Sequence, residues 1–290
     1  MCFQTILGRN EVKEAFMETG KFKTSDGATL HTVDAPVTGA KGAVYLVHGI
    51  GEHVGRYTHV IQYLNGRGYA VFGHDHRGHG QSDGERVYFD SFEVPVRDLK
   101  ARVDQVKAGT PGVPFFMLGH SMGSLIATLY MESYQETMRG WISTGSPLWV
   151  DQAVPAPVQL ILRGLAKVMP KFKLLPVVAD TISRDPAVVA AYVADPYVNH
   201  EKTKLGMAAA FAQACAEARA GLGKISAPVL ILHGGDDTLT PPKGSEVLYA
   251  GVASKDKTHK TYPGLFHEVH NEPEQAQVMA DMADWLDARV

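Results

Sequence analysis

One stretch of the sequence constrains the fold more than any other. An apolar run at residues 115–118 leads into Gly119-His120-Ser121-Met122-Gly123 and then into a helix-forming run. A serine in this setting is typical of a sharp strand-to-helix turn that holds a reactive hydroxyl at the top of a sheet. The two glycines suit such a turn because side chains there would collide with neighbouring backbone. The stretch therefore predicts a serine hydrolase with Ser121 as its nucleophile.

A second Gly-x-Ser-x-Gly match surrounds Ser82 at residues 80–84. It lies in a polar, glycine-rich segment, with no apolar strand before it and no helical pattern after it. The pattern carries meaning only in a strand-turn-helix setting. We therefore predict that Ser82 is not the nucleophile.

Composition places broad limits on the protein. The 290 residues are 45% hydrophobic and 20% charged, with a net charge of -3, which fits one large folded domain with an insertion. The charge gives no basic surface for nucleic acid. Two cysteines cannot form a disulfide framework, and we find neither a signal peptide nor an apolar run of membrane-spanning length. We expect a cytoplasmic protein that binds no nucleic acid, and the oligomeric state stays open.

Short apolar strands alternate with helices along most of the chain, after an opening hairpin at residues 15–33. Further strands are predicted at residues 43–47, 69–73, 115–118, 141–144, 228–233 and 260–262, and helices at 57–65, 92–107, from 122, 243–250 and 274–286. This alternation predicts an α/β fold with a mostly parallel, doubly wound sheet and an N-terminal antiparallel hairpin.

The alternation stops after Pro147, where prolines become frequent and no apolar run reads as a core strand. We predict that residues 1–147 and 207–290 form the core and that residues 148–206 form a helical cap. Ligands of such sheets bind outside the carboxyl ends of the strands. The insertion is therefore predicted to act as a lid.

A serine nucleophile needs a base and a carboxylate that orients the base, in the chain order Ser, Asp or Glu, His. Asp236 and Asp237 follow the strand at residues 228–233, and His267 and His270 follow the last strand. Every combination of these candidates has the required chain order. Spacing alone does not decide between Asp236 and Asp237, or between His267 and His270.

The oxyanion hole of this kind of site takes one backbone amide after the nucleophile and one from the loop after an earlier strand. That loop reads His48-Gly49-Ile50-Gly51-Glu52. The pattern nominates the backbone amides of Ile50 and Met122.

Four segments together resemble monoacylglycerol lipases, a family of capped α/β-hydrolases: residues 48–57, 75–84, 119–123 and 262–270. The resemblance extends from Lys21 to the C-terminus. It implies His267 as the base. The family spacing G-x-x-D-x-x-x-P matches Gly234, Asp237 and Pro241, and implies Asp237 as the carboxylate. It also implies that the glycerol end of the substrate contacts Glu52, Arg56, His120, Tyr192 and His270.

The resemblance implies a serine carboxylester hydrolase that cleaves monoacylglycerols, a lipid ester substrate, through an acyl-enzyme and without a cofactor. Ser124 stands where the family usually has a second glycine, and the cap is the least similar part. Acyl chain length therefore stays open. The alternatives are a lysophospholipase or general carboxylesterase on the same triad, an acyltransferase, and a slow ligand-sensing protein on a hydrolase fold.

Two further patterns allow more than one interpretation. His74, His76 and His79, with Asp75 and Asp83 nearby, could form a zinc cluster. The resemblance accounts for this loop without metal, so we expect none.

Residues 156–169 can form an amphipathic helix. Its apolar face either packs on the core or meets lipid as a peripheral membrane contact. That face comprises Val158, Ile161, Leu162, Leu165, Val168 and Met169, and Gln159, Arg163 and Lys167 lie opposite.

Overall fold

A computed structural model of the protein describes residues 17–174 and 179–290, and within them eight strands form a single sheet. The strands are β1 (Glu18–Lys23), β2 (Thr29–Ala35), β3 (Gly42–Val47), β4 (Tyr69–His74), β5 (Phe115–His120), β6 (Gly140–Thr144), β7 (Val229–Gly234) and β8 (Lys257–Tyr262). Their order is β1-β2-β4-β3-β5-β6-β7-β8. The β1–β2 and β2–β4 pairs are antiparallel and all later pairs are parallel. The predicted fold class is confirmed, although the first two residues of the predicted hairpin lie outside the described residues.

Eight α-helices accompany the sheet in the same described ranges. They are α1 (Thr58–Gly66), α2 (Glu93–Gly109), α3 (Met122–Tyr134), α4 (Ala156–Val168), α5 (Pro186–Ala194), α6 (Leu205–Gly221), α7 (Lys243–Gly251) and α8 (Gln275–Asp287). Within residues 17–174 and 179–290, no helix is both long and apolar enough to cross a bilayer.

Helices cover both faces of the sheet, as the doubly wound prediction requires. On one face, α1 and α8 pack against β3, β4, β5 and β7 through Ile61, Leu64, Met282 and other apolar side chains. On the other face, α2, α3 and α6 pack through Leu99, Leu125 and Ala218, among others. Burial of these surfaces at about 25 cal/mol per Å² is the main source of stability.

The parallel register brings four chain segments to one edge of the sheet. The carboxyl ends of β3, β5, β7 and β8 all lie at this edge, because neighbouring parallel strands run in the same direction. The loops that follow them carry the sequence-predicted oxyanion loop, nucleophile, carboxylate and base. The topology therefore gathers residues from across the chain into one place.

The segment between β6 and β7 contains α4, α5 and α6. Neither α5 nor α6 was predicted as a helix from the sequence. The second of these, α6, packs against the core. Its residues Cys215 and Ala218 are buried in the core against α3, so the helix belongs partly to the core. The predicted boundary at residue 206 falls in its first turn.

Most of the predicted apolar face of α4 points outward. Five of its six residues are exposed, with Ile161 and Val168 at 61% and 80%, and the other three are Val158, Leu165 and Met169. Leu160, which was not predicted on this face, is 73% exposed as well. The interpretation that this face packs on the core does not fit the structure. The opposite side of the helix, with Gln159 and Arg163, lines an internal cavity instead, together with Leu162.

Candidate active site

Ser121 occupies a strained turn between β5 and α3. Its backbone angles are φ 54° and ψ -120°, outside the region where L-residues rest comfortably. A Cβ at Gly123 would lie 1.9 Å from the carbonyl oxygen of Val47, and one at Gly119 would lie 2.6 Å from the carbonyl oxygen of Gly123. Only glycine fits both places. A strained residue of this kind persists where the surrounding structure over-determines it, which is typical of functional sites.

Asp237 and His267 form a buried hydrogen-bonded pair at the same edge. The His267 Nδ1–H donates to Asp237 Oδ2 across 2.7 Å, and both side chains are buried. Ser121 and His267 line one cavity together. The structure therefore brings the three residues of the predicted triad to one region.

The electrostatics of the pair suit a base. Burial lowers the pKa of His267, but the charge and hydrogen bond of Asp237 outweigh it, so the pKa lies above the ordinary value. Burial raises the pKa of Asp237, but the charge of His267 and hydrogen bonds from His233 and His267 outweigh it, so that pKa lies well below its usual range. Asp237 is therefore ionised, and it stabilises a protonated His267.

The alternatives left by sequence spacing separate in space. Asp236 is exposed, whereas Asp237 is 5% exposed and touches His267. The ring of His270 stacks on Tyr57 with centroids 4.9 Å apart, and burial lowers the pKa of His270 to about 3. His270 is thus neutral, and it packs against Tyr57 instead of pairing with an aspartate.

The loop after β3 comes close to the nucleophile. A Cβ at Gly49 would lie 3.3 Å from Ser121 Cβ, and Ile50 lines the cavity. The Gly49 amide donates to Glu52 Oε1 at 2.6 Å, which fixes the turn. Met122 is the first residue of α3, where a backbone N–H has no partner within the helix. Both backbone segments nominated for the oxyanion hole therefore lie beside Ser121.

A cavity of about 420 Å³ adjoins Ser121 and lies between the loops after β3, β5 and β8 and the segment that contains α4, α5 and α6. Much of its wall is apolar, with side chains from α4, α6 and the connecting loops. These wall residues include Val150, Val154, Leu162, Leu174, Leu205, Met207, Ala208, Ala209, Phe211 and Ala212. A long apolar chain suits such a wall.

Four polar side chains of the cavity lining contact either Arg56 or His267, and we call this group the polar end: Glu52, His120, Tyr192 and Glu268. Burial raises the pKa of Tyr192, so its hydroxyl stays protonated.

A buried charge network supports this polar end from behind. The Arg56 guanidinium donates to Glu52 Oε2 at 2.7 Å and to both carboxylate oxygens of Glu268 at 2.6 and 2.8 Å. Its planar group also stacks on the ring of Tyr192, 4.7 Å from the centroid. Tyr57 donates a further hydrogen bond to Glu52 Oε1 at 2.6 Å. The network fixes the positions of Glu52 and Tyr192.

Three of the five side chains predicted for the glycerol end line the cavity, namely Glu52, His120 and Tyr192. Arg56 and His270 are not among the lining residues. Arg56 is engaged by the two carboxylates, and His270 packs between Tyr57 and His120. Both support the wall rather than form its surface.

Ser82 and the histidine-rich loop have structural roles. The Ser82 hydroxyl donates to the Asp75 carbonyl at 2.6 Å and accepts from the His31 amide at 2.9 Å, away from the cavity. Burial lowers the pKa of His74 to about 3 and that of His79 to about 4. Within the described ranges, no three His, Cys, Asp or Glu side chains converge as metal ligands.

Sequence reasoning missed several residues that complete the site. Thr240 donates through Oγ1 to Asp237 Oδ2 at 2.8 Å, and His233 contacts the same oxygen at 3.1 Å. Glu268 supplies one arm of the charge network. Two features of the sequence could have indicated these residues. His233 ends an apolar strand run, and Glu268 directly follows His267.

Comparisons with known proteins identify the family of this chain. Residues 38–274 match the family described as Serine aminopeptidase, S33. The monoacylglycerol lipase of Mycolicibacterium smegmatis is 38% identical over 257 residues, covering 89% of this chain and 92% of that protein. The human monoglyceride lipase is 35% identical over 258 residues, covering 88% and 85%. The chain belongs to the monoacylglycerol lipase family.

A solved member of the family has the same architecture. The soluble variant of the Saccharomyces cerevisiae monoglyceride lipase, crystallised with a substrate analog, superposes with a TM-score of 0.82 at 28% identity. The match covers 97% of this chain and 98% of that one. The protein is thus a serine hydrolase that acts on ester bonds, as the sequence predicted.

Proposed function

We propose that this protein hydrolyses monoacylglycerols to fatty acid and glycerol through a Ser121–His267–Asp237 triad. The observation that carries the proposal is a single cavity, lined by Ser121, by His267, by a largely apolar wall and by the polar group of Glu52, His120, Tyr192 and Glu268. A monoacylglycerol has the same division, with a long acyl chain, an ester and two free hydroxyls. The two relatives of this protein described above are named for the same substrate.

In the acylation step, His267 removes the Ser121 proton as the oxygen attacks the ester carbonyl. The backbone amides of Ile50 and Met122 stabilise the oxyanion, an interaction that contributes about 2.7–4 kcal/mol per donor in comparable sites. The negative charge of Asp237 stabilises the imidazolium. His267 then protonates the departing glycerol oxygen, and the acyl group remains on Ser121.

In the deacylation step, water takes the place of glycerol. His267 removes a proton from the water, which attacks the acyl carbonyl, and the fatty acid leaves as the proton returns to Ser121. No step requires a metal or cofactor.

The polar end provides partners for the free glycerol hydroxyls. Glu52, His120 and Tyr192 line this end, and we assign the hydroxyl contacts to them, with Arg56 and His270 holding them in position. A triacylglycerol has no free hydroxyl, so a polar group that pairs only with the glycerol hydroxyls, such as the hydroxyl of Tyr192, would be left unpaired at about 1–3 kcal/mol.

The test is a comparison of initial rates on mono-, di- and triacylglycerols of one chain length, with a lysophospholipid beside them. We expect kcat/KM for monoacylglycerol to exceed that for triacylglycerol by at least about 100-fold, because missing hydrogen bonds discriminate more strongly than apolar contacts. Equal rates on both would contradict the proposal and leave a general esterase. A higher rate on the lysophospholipid would move the substrate to a phosphorylated head group.

A pair of tyrosine variants tests the hydroxyl contact itself. Tyr192→Phe removes one hydroxyl at the polar end and should reduce the preference for monoacylglycerol. Tyr197→Phe is the matched control, because Tyr197 is 46% exposed and does not line the cavity. Equal preferences in the two variants would exclude Tyr192 from head-group selection.

We further propose that residues 148–206 act as a cap over the active site, and that α4 brings this cap to a lipid surface. The exposed apolar side of α4 supports the proposal, because a group of apolar side chains exposed to solvent is typical of an interaction site. The substrate would then enter from the membrane into the cavity that the other side of α4 lines.

A further inference from the structure

His233 lies at the end of β7 with its side chain fully buried. Its Nδ1 is 2.6 Å from the Ser245 hydroxyl oxygen on α7. Its Nε2 is 2.7 Å from the Thr240 carbonyl oxygen and 3.1 Å from Asp237 Oδ2. His233 takes no part in the chemistry described above, yet it contacts both ends of the turn that carries the triad carboxylate.

The surroundings fix which ring nitrogen of His233 donates. A carbonyl oxygen and an ionised carboxylate oxygen can only accept hydrogen bonds, and both face Nε2. Nε2 therefore carries a hydrogen and donates to this pair. The Ser245 hydroxyl satisfies Nδ1 on the other side, so the ring is held from both ends.

The carboxylate of Asp237 is correspondingly constrained. Its Oδ1 accepts from the Leu239 and Thr240 amides, both at 2.9 Å. Its Oδ2 faces three donors: His267 Nδ1 at 2.7 Å, Thr240 Oγ1 at 2.8 Å and His233 Nε2 at 3.1 Å. The Thr240 donors depend on the position of the Thr240 backbone, which His233 holds through the carbonyl. A displacement of this turn would move the Asp237 carboxylate and its Thr240 donors together, relative to His267.

We propose that His233 is a positioning residue of the triad, which holds the turn from Asp237 to Thr240 so that Oδ2 is aligned with His267 Nδ1. This role rests on the proposed function of Asp237 and His267. Alignment of the pair is what lets the Asp237 charge raise the pKa of His267. The chemistry therefore depends on a side chain that never touches the substrate.

Several titratable groups surround this arrangement. Asp237 interacts electrostatically with His233. His259, which lies on the neighbouring strand β8, does so as well. His120, Asp237, Glu52 and Glu268 face His267. A change that arises from His233 must therefore be separated from one that arises from these groups.

Two amide substitutions make the test specific. The amide nitrogen of His233→Gln can reach the place of Nε2, whereas that of His233→Asn reaches only the place of Nδ1. The two variants have similar polarity and differ in where the donor lies. His259→Gln is the matched control, because His259 is a half-buried histidine on the adjacent strand that does not contact the turn.

Two measurements are made on each variant: the pKa of His267 by NMR titration, and kcat and KM on a soluble short-chain ester. We expect His233→Gln and His259→Gln to stay close to wild type. We expect His233→Asn to lower kcat by about 10- to 100-fold with little change in KM, as a small misplacement of a reacting group does. The pKa of His267 should fall in this variant, because the Asp237 charge is less well aligned.

Equal kcat and equal His267 pKa in the Gln and Asn variants would overturn the proposal. Loss of kcat with an unchanged His267 pKa would also overturn it, since a merely structural role predicts that outcome. If His233→Asn does not fold, Ser245→Ala provides the second test, with a smaller decrease of both quantities as the expected result and no change as the contrary one. The NMR titration needs no substrate, so failure of the monoacylglycerol assignment is distinguishable from failure of this proposal.

Discussion

At the scale of single residues, the site works by removing freedom from the groups that react. Ser121 is held at a positive φ by backbone contacts that only glycine neighbours permit. Asp237 accepts hydrogen bonds on both carboxylate oxygens, and its hydrogen bond with His267 Nδ1 fixes the orientation of that ring. Such preorganisation lets the site stabilise charge without rearranging at the moment of reaction.

Replacement of the carboxylate tests this view. In wild type, the Asp237 charge raises the pKa of His267, and the base acts only when unprotonated, so kcat/KM should fall as the pH drops through that raised pKa. Asp237→Asn should lower the plateau by about four orders of magnitude, because the imidazole takes the wrong tautomer. It should also move the acid limb of the pH profile to lower pH, because the charge that raised the pKa is gone.

Asp236→Asn is the matched control for this change. Asp236 is exposed and adjacent in sequence, so rate and pH profile should stay near wild type. A larger effect at Asp236 than at Asp237 would reverse the assignment. Residue spacing could not decide between the two, because the choice depends on which side chain the turn directs toward His267, and the hydrogen bonds from Leu239 and Thr240 set that direction.

At the scale of elements, α4 has two different sides. Gln159, Leu162 and Arg163 face the cavity, whereas Leu160, Ile161 and Val168 face solvent. The amphipathic pattern was visible in the sequence, but its orientation was not. The sequence pattern does not show which side of a helix packs on the rest of the protein. In this structure α4 packs against α6, and most of its apolar side faces solvent.

The outward face predicts binding to lipid vesicles. Leu160→Asp combined with Val168→Asp should weaken cosedimentation with phosphatidylcholine vesicles by at least about tenfold, because each buried apolar side chain contributes about 1.5–3 kcal/mol. Turnover of a soluble short-chain ester should be unchanged. Tyr249→Asp, on an exposed part of α7, is the control. Vesicle binding that is equal in all three proteins would exclude α4 as the contact.

At the scale of the whole molecule, the sequence predicted the α/β sheet from the alternation of strands and helices, and the structure confirms that fold class. Three elements were harder to predict from the sequence: β8, α5 and α6. The strand β8 is the outermost strand of the sheet, and none of its residues before Tyr262 is buried, so its sequence is polar and does not show the apolar pattern of a core strand. The helix α6 is rich in alanine, which gives its two sides little contrast in hydrophobicity.

The cavity could not be predicted because it exists only after folding. Its wall combines residues of α4 and α6 with the loops after β3 and β8, which are distant in sequence. The triad was easier, because motif, order and strand position each restrict it independently.

Covalent labelling tests most directly whether Ser121 is the nucleophile. Wild type, Ser121→Ala and Ser82→Ala would be treated with a fluorophosphonate, and the labelled residue identified by mass spectrometry of peptides. We predict a label on Ser121 in wild type and in Ser82→Ala. We predict none in Ser121→Ala, together with a loss of monoacylglycerol turnover of about three orders of magnitude or more. A label on Ser82, or labelling that survives in Ser121→Ala, would contradict the account.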